Sequence, residues 1–466
     1  MLFHTLHFAF FFLVVFPAFL LAPQRARWCI LLCASLVFFG ALGVPALVFA
    51  LAAVTLASYG AGLCMGAVRA RRPIWLWSGI AFNVLVLAAF RYPPVASLGL
   101  TGTNGLMPTV GVSYFTFQGI SYLVDIYIGA QEPERHLGYF ALYMAFFPKV
   151  LQGPIERAGE LLPQLRCRFY FDSEAWRAGA LLFAWGLFKK TVVADRAGPL
   201  VDAVYGHVTS YQGIPLAVAT YLYALQLYCD FSGYTDMARG IARFFGIRLT
   251  QNFNNPYAAR SIAEFWRRWH ISFSRWIFDY IFKPLQFALR DLGAAGSAIA
   301  LIFTFLVSGI WHGVGWTFVV WGLIHGVYMS FSIYSRPVRK ALHDRVWRGR
   351  PRLSKAWQIL ATVHLVLFSW VFFRARSLSD ALYVLTHLGT GLYGTRSLLF
   401  LNGVYNLLVL ALGAAVVAWV DTVVRGRIED LLERPVWFRW PAYYALAAAI
   451  LLFATERRGT FIYFQF

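Results

Sequence analysis

Two histidines in this 466-residue chain stand where acid–base chemistry can be done. His270 lies in Glu264-Phe265-Trp266-Arg267-Arg268-Trp269-His270-Ile271-Ser272-Phe273-Ser274-Arg275-Trp276, and His312 lies in Ser308-Gly309-Ile310-Trp311-His312-Gly313-Val314-Gly315-Trp316. Histidine titrates near neutrality, so an imidazole beside a hydroxyl can take its proton and hand it to a leaving group. The first segment reads as one long helix, with Glu264/Arg268, Arg275/Asp279 and Asp279/Lys283 at i,i+4 spacing. On such a helix His270 shares a face with Trp266, Phe273 and Ser274. Two readings apply: a packed histidine on an interfacial aromatic helix, or a histidine in a polar cavity at membrane depth, where ionisable groups are costly and mark function. His312 ends one strongly apolar helix and begins another, with glycines on both sides that allow close backbone approach. Membranes tolerate such breaks only where they are buried in protein or line a cavity. His325 lies mid-span thirteen residues later, and its preferred reading is helix–helix hydrogen bonding among small residues.

The elements that must position these residues are membrane helices. Hydrophobic residues make up 59% of the chain and charged residues 13%, against roughly 25% charged in soluble domains. Mean hydropathy is +0.60. One soluble core cannot bury so much apolar surface. An ordinary cytosolic enzyme, a disordered chain and a secreted disulfide scaffold are all excluded. The five cysteines are scattered with no C-x-x-C, which suggests neither a disulfide framework nor a zinc site. Asp230 and Asp236 are not spaced with other ligands in a metal-binding pattern, so no metal is expected. The absence of a Walker or dinucleotide motif argues against nucleotide hydrolysis.

Apolar windows of spanning length fall at 1–21, 28–43, 46–66, 73–91, 109–128, 176–193, 213–232, 294–312, 315–334, 356–373, 399–420 and 438–455. The stretch 137–154 reads as a re-entrant hairpin. The first window has no basic residue ahead of it, and Arg25 and Arg27 follow it, which predicts a retained helix with its N-terminus outside. Arg69, Arg71 and Arg72 in loop 68–72, and the six Arg and two Lys of loop 336–355, then fall on the same side as Arg25 and Arg27. The uncharged loop 92–108 falls on the other side, as does the C-terminus. The net charge of +20 would suggest nucleic acid on a soluble protein. Here the positive-inside rule accounts for most of it, and no nucleic-acid partner is expected.

The window 226–290 does not read like a span. The run Gln226 to Asp236 is too polar, and Asn252, Asn254, Asn255, Pro256 and Tyr257 form a turn-rich segment. Phe265-Trp266-Arg267-Arg268-Trp269-His270-Ile271-Ser272 with Gly309-Ile310-Trp311-His312-Gly313 resembles the signature of the membrane-bound O-acyltransferase (MBOAT) family, in its alginate O-acetyltransferase-like branch. That branch also includes teichoic-acid D-alanyl transfer proteins. Gly111-Val112-Ser113-Tyr114-Phe115, Phe147-Pro148-Lys149 with Gly153-Pro154-Ile155-Glu156-Arg157, Asp230-Phe231-Ser232-Gly233-Tyr234-Thr235-Asp236-Met237-Ala238 and Gln251-Asn252-Phe253-Asn254-Asn255-Pro256-Tyr257 resemble the same branch in the same order. One departure is 285–292, where the branch commonly carries a Gly-Gly-Asn-Arg-like turn.

The resemblance implies an all-α polytopic membrane protein with about 11–13 transmembrane helices around a thinned, tunnel-containing centre. It is read as a single domain over 1–466, with N-terminal helices in 1–91, a catalytic core at 109–335, C-terminal helices in 356–455 and an extracytoplasmic tail at 456–466. The resemblance implies acyl transfer from a cytoplasmic thioester, acyl-CoA or an acyl carrier protein, to a hydroxyl, with no bound cofactor. His312 matches the near-invariant family histidine and His270 the second. Asn254, Asn255 and Trp311 are candidate oxyanion donors, and Arg267, Arg268 and Lys149 are candidate contacts for donor phosphates; for these cations simple positive-inside charge is the equal alternative. The end of the chain, Phe461-Ile462-Tyr463-Phe464-Gln465-Phe466, reads either as an interfacial aromatic anchor or, by resemblance to relay tails of this branch, as an acyl acceptor at Tyr463.

The function so implied is acylation, most simply acetylation, of an exported cell-surface polysaccharide from a bacterial inner membrane. The expected partners are a serine esterase-like extracytoplasmic transferase, the polymer's synthesis and export machinery, and the bilayer. D-alanyl transfer to a teichoic-acid-like polymer is the alternative acyl chemistry, and lipid or protein acylation an alternative acceptor. A secondary transporter is the alternative from another class, disfavoured because no repeated halves are visible.

Overall fold

The apolar windows fold as helices in the computed structural model, which contains no strand among the described residues: 1–91, 111–391, 395–424 and 427–455. Of 395–402 and 404 only the backbone is described. Tyr463, the rest of the tail and the uncharged loop 92–108 lie outside the described residues. Among the described residues, seven helices are long and apolar enough to cross a membrane: Pro45–Ala67, Arg69–Arg91, Arg290–His312, Trp316–Tyr334, Pro351–Arg374, Tyr405–Val423 and Val436–Phe453. The windows at 1–21, 28–43, 109–128 and 176–193 form shorter helices of 14 or 16 residues.

By contacts the chain divides into two units, the first formed by Met1–Leu187 and Gly233–Gln251. Its helices are α1 (Leu6–Leu21), α2 (Arg27–Gly40), α3 (Pro45–Ala67), α4 (Arg72–Arg91), α5 (Val112–Tyr127), α6 (Leu137–Ala145), α7 (Ala158–Arg166) and α8 (Ser173–Phe188). Buried Asn83 stitches α4 to α3 by donating to Ser58 Oγ at 3.2 Å. A Cβ on Gly119 of α5 would lie 2.6 Å from both Asn83 Oδ1 and Ser58 Oγ, so glycine is needed there. Helix α6 has nine residues, about 14 Å at 1.5 Å per residue, and cannot cross a core of about 30 Å. Buried, non-helical chain follows it through 146–156.

The second unit takes Phe188–Ser232 and the chain from Asn252 onward. A π-helical segment, Lys189–Ala194, leads into α9 (Asp195–Gly206) and α10 (Ile214–Phe244), whose last turns, 233–244, belong to the first unit. Then come α11 (Ile262–Arg268), α12 (Ile271–Ile277), α13 (Lys283–Ala288), α14 (Gly293–His312), α15 (Trp316–Tyr334), α16 (Arg336–Val346), α17 (Pro351–Arg374), α18 (Leu378–His387), α19 (Thr395–Val423) and α20 (Val436–Phe453).

Two expectations are corrected. The polar run Gln226 to Asp236 lies inside the continuous helix α10. Two of its polar groups have buried partners: Lys190 Nζ meets Asp230 Oδ1 at 2.6 Å and also Asp195 Oδ1 at 2.7 Å, and Lys189 Nζ donates to Ser232 Oγ at 2.9 Å. The segment 264–276 is not one helix. It breaks at Trp269-His270, where His270 adopts left-handed φ 41° and ψ 55°. His270 and Trp266 therefore do not share a face; Trp266 packs on Phe305, Trp321 and His325, and His270 on Phe231 and Phe273.

Helices α14 and α15 form a tight hairpin that ends at His312. A Cβ on Gly309 would lie 2.3 Å from the Phe318 carbonyl oxygen, and one on Gly322 would lie 2.4 Å from that of Phe305. The backbones therefore touch through these two glycines, the small-residue packing that membrane helices use. His325 completes the seam. Trp266 Nε1–H donates to its Nδ1 at 3.2 Å, and its Nε2 meets Ser369 Oγ at 3.0 Å. Ser369 in turn donates to the Val366 carbonyl at 2.7 Å, so Nε2 carries the proton. His325 thus has the helix-joining role read from the sequence, linking α11, α15 and α17.

Gly322→Ala should cost about 1–3 kcal/mol of stability through overpacking. His325→Leu, which strands the buried Trp266 N–H, should cost a similar 1–3 kcal/mol. Thermal unfolding in detergent measures both, and unchanged melting of either variant would contradict this packing.

Candidate active site

The site grows from one short crossing of chain segments. Segment 252–254 runs against 268–272: Asn254 N–H donates to the Arg268 carbonyl at 3.0 Å, and Ile271 N–H donates to the Asn252 carbonyl at 2.9 Å. Ser272 N–H donates to Asn252 Oδ1 at 3.0 Å. Phe253 alone faces Trp269 and His270, two residues against one, as in a bulge. The surplus residue is accommodated by the left-handed turn at His270. A positive φ at a non-glycine stores about 1–3 kcal/mol of strain and is a mark of functional sites.

His270 is 1% exposed. Neither of its ring nitrogens has a hydrogen-bond partner among the described residues. Its ring lies edge-on to Phe231 at 4.7 Å and 5.1 Å from Phe273. Phe273 stacks on Trp311 at 4.3 Å and meets His312 at 6.0 Å. His312, the last residue of α14, is buried and also packs against Trp311, Trp321 and Phe373 at 4.4, 5.0 and 5.0 Å. One ring, Phe273, is thus shared by both histidines and Trp311.

Around this lattice Ser308 Oγ, one turn before His312, and Trp321 Nε1 are also buried without partners among the described residues. Buried polar atoms are nearly always hydrogen-bonded, so a cluster of unsatisfied ones asks for a ligand. A buried imidazole with polar donors gathered near it can take a proton from a hydroxyl and stabilise developing charge.

The other candidates scatter. Asn254 is exposed, and Asn255, itself left-handed at φ 47°, donates through Nδ2 to the Asp421 carbonyl at 2.7 Å. Arg267 is exposed. Arg268 binds Glu264 Oε1 at 2.6 Å and the Asn255 carbonyl at 3.2 Å. Partial burial works against ionisation of Glu264, but the Arg260 N–H and the Arg268 guanidinium hold its carboxyl below the usual range. Lys149 lies in the first unit, 1% exposed, and donates to Gln118 Oε1 at 2.8 Å. Sequence reasoning overlooked Asn252 and Phe273 as site builders. Asn252 lay within a quoted motif, but three neighbouring asparagines look alike until their partners are seen.

The family model described as MBOAT, membrane-bound O-acyltransferase family, matches residues 130–373. The chain is 34% identical over 463 residues to "Probable alginate O-acetylase AlgI" of Pseudomonas aeruginosa, covering 95% of this chain and 84% of that protein. It is 32% identical over 403 residues to the protein of the same name in Azotobacter vinelandii, covering 82% and 76%. Over 354 residues it is 34% identical to "Peptidoglycan O-acetyltransferase" of Helicobacter pylori, covering 68% and 64%. With its histidines on one aromatic lattice and its apolar helices long enough to span, the chain belongs to the membrane-bound O-acyltransferase family of multi-pass membrane enzymes.

Proposed function

We propose that this O-acyltransferase moves an acyl group, most simply acetyl, from a cytoplasmic thioester of coenzyme A or an acyl carrier protein toward hydroxyls of an exported cell-surface polysaccharide. The observation that carries the reading is the pair His270 and His312 on one Phe273 ring, His270 being buried with both nitrogens unpaired among the described residues. The names of the relatives, alginate O-acetylase and peptidoglycan O-acetyltransferase, support acetyl as the group and a glycan polymer as the acceptor. The membrane is a bacterial inner membrane with both termini outside, as the placement of the basic loops suggests.

A thioester carbonyl is already activated, so the enzyme has mainly to deprotonate the acceptor and hold it. His312 takes the hydroxyl proton as the oxygen attacks the thioester carbon. The tetrahedral intermediate collapses, the C–S bond breaks, and the proton that His312 took passes by way of His270 to the departing thiolate, leaving both imidazoles neutral. The first acceptor is the phenol of Tyr463, and an extracytoplasmic serine esterase-like partner then moves the acyl group from it to the polymer. A phenolate leaves more readily than a sugar alkoxide, so a tyrosyl ester is a competent relay. Arg267, which is exposed and three residues before His270 in the chain, meets the donor phosphates in this reading.

His312→Ala should lower acyl transfer by about 10²–10⁴-fold with unfolding unchanged. Incubation of the purified protein in nanodiscs with radiolabelled acetyl-CoA or acetyl carrier protein measures it, and near wild-type transfer by the variant would sink the assignment. Tyr463→Phe removes one oxygen and keeps the aromatic tail. Label on the protein and acylation of the polymer in cells should both disappear, and full polymer acylation would reject the relay.

A further inference from the structure

We infer that Asn252 donates the hydrogen bond that stabilises the oxyanion of acyl transfer. The inference rests on the acyl-transfer reading above and assigns the donor that chemistry requires.

Three asparagines compete for the role, and their partners separate them. Asn254 is exposed, and the Asn255 amide is committed to the Asp421 carbonyl. Asn252 is 1% exposed. Its main-chain oxygen accepts from Ile271 N–H and its Oδ1 from Ser272 N–H. Its Nδ2 has no partner among the described residues. The assignment of oxygen and nitrogen follows from chemistry: a backbone N–H can only donate, so the amide atom facing Ser272 must be the oxygen. The NH2 group is therefore held on the opposite edge of a plane that cannot turn without breaking the Ser272 bond.

The two residues that hold Asn252 follow His270 directly in the chain. A buried, unsatisfied donor and a buried, unsatisfied imidazole are thus locked to one stretch of backbone. Preorganised donors that need no reorientation are what oxyanion stabilisation requires. As the acceptor oxygen attacks, the carbonyl π electrons move to oxygen, and an Nδ2–H hydrogen bond strengthens with that charge. When the C–S bond breaks the electrons return to the carbonyl, the thiolate leaves and is protonated, and Asn252 is unchanged.

The test separates this role from a merely structural one. Asn252→Asp keeps the acceptor for Ser272 N–H and replaces the donor with a second acceptor, whereas Asn252→Ala loses both. Thiol release from acetyl-CoA and from acetyl carrier protein is followed in nanodiscs, with melting curves and KM for the donor. Asn252→Asp should stay folded at the assay temperature, though with a lower melting point because its carboxylate is buried, and keep its KM while kcat falls about 10²–10³-fold, with part of the rate returning at low pH as the carboxyl regains a proton. If Asn252→Asp keeps wild-type kcat and only Asn252→Ala suffers, Asn252 is a structural brace and the inference fails. A wild-type protein that releases no thiol from either donor would instead overturn the acyl-transfer reading itself.

Discussion

The left-handed turn at His270 is the constraint on which the second unit's chemistry depends. An L side chain at φ 41° is strained, and the strain persists only because neighbouring bonds over-determine it. Asn252 accepts from both residues after the turn, Arg268 accepts from Asn254 before it, and Ser274 N–H closes back on the His270 carbonyl at 2.8 Å. Because the turn is held, α11 and α12 diverge. Trp266 goes to His325 and the α14–α15 seam, while Phe273 goes to Trp311 and His312. A straight helix would have put Trp266, His270 and Phe273 on one stripe.

Behind the turn lies a set of buried charges that an apolar solvent would not tolerate singly. Lys190 sits between Asp195 and Asp230, each within 2.7 Å, and Lys189 reaches Ser232. The desolvation of such ions is severe, and geometry of this quality is what offsets it. Their connection to the site runs through Tyr228. Its ring packs against Phe253, Tyr257 and Trp269, and its hydroxyl donates to Asp421 at 2.8 Å. Asp421 accepts Asn255 at its main-chain oxygen, so α19 braces the same asparagine-rich loop that pins His270. The polar run in α10 is thus a structural support for the loop rather than a break in the helix.

What was legible in the sequence follows the range of the forces involved. Hydropathy is local, so the windows at 46–66, 73–91, 294–312, 315–334, 356–373 and 438–455 became helices nearly where they were read. The pivot between α14 and α15 was legible because glycine is a local signal, and His325 because small residues flank it. The break at His270 was not, since Trp-His-Ile-Ser contains neither glycine nor proline. Its cause is Asn252, eighteen residues upstream and bonded across a loop. The same is true of Asp230, whose polarity reads as a break until Lys190, forty residues earlier, is seen to pair with it. Arg267, Arg268 and Lys149 look alike as cations in sequence. Only their partners separate an exposed group from one spent on Glu264 and one buried against Gln118.

The distribution of rigidity suits a transfer reaction. The rings of His270, Phe273, Trp311, His312, Trp321 and Phe373 are each wedged by the next, so the imidazoles have little freedom to reorient. Among the described residues of this cluster, both nitrogens of His270, one edge of Asn252, Ser308 Oγ and Trp321 Nε1 are left unsatisfied. A buried cluster whose rings are apolar and whose orphaned groups are polar discriminates by what a guest can pair with. A carbonyl and a hydroxyl together supply an acceptor and a donor, and a guest lacking either leaves a buried group unpaired at an energetic cost that binding cannot recover. The strained turn and the glycine seam therefore suit the chemistry of acyl transfer, because they hold still the His270 imidazole and the Asn252 amide, whose nitrogens lack partners among the described residues.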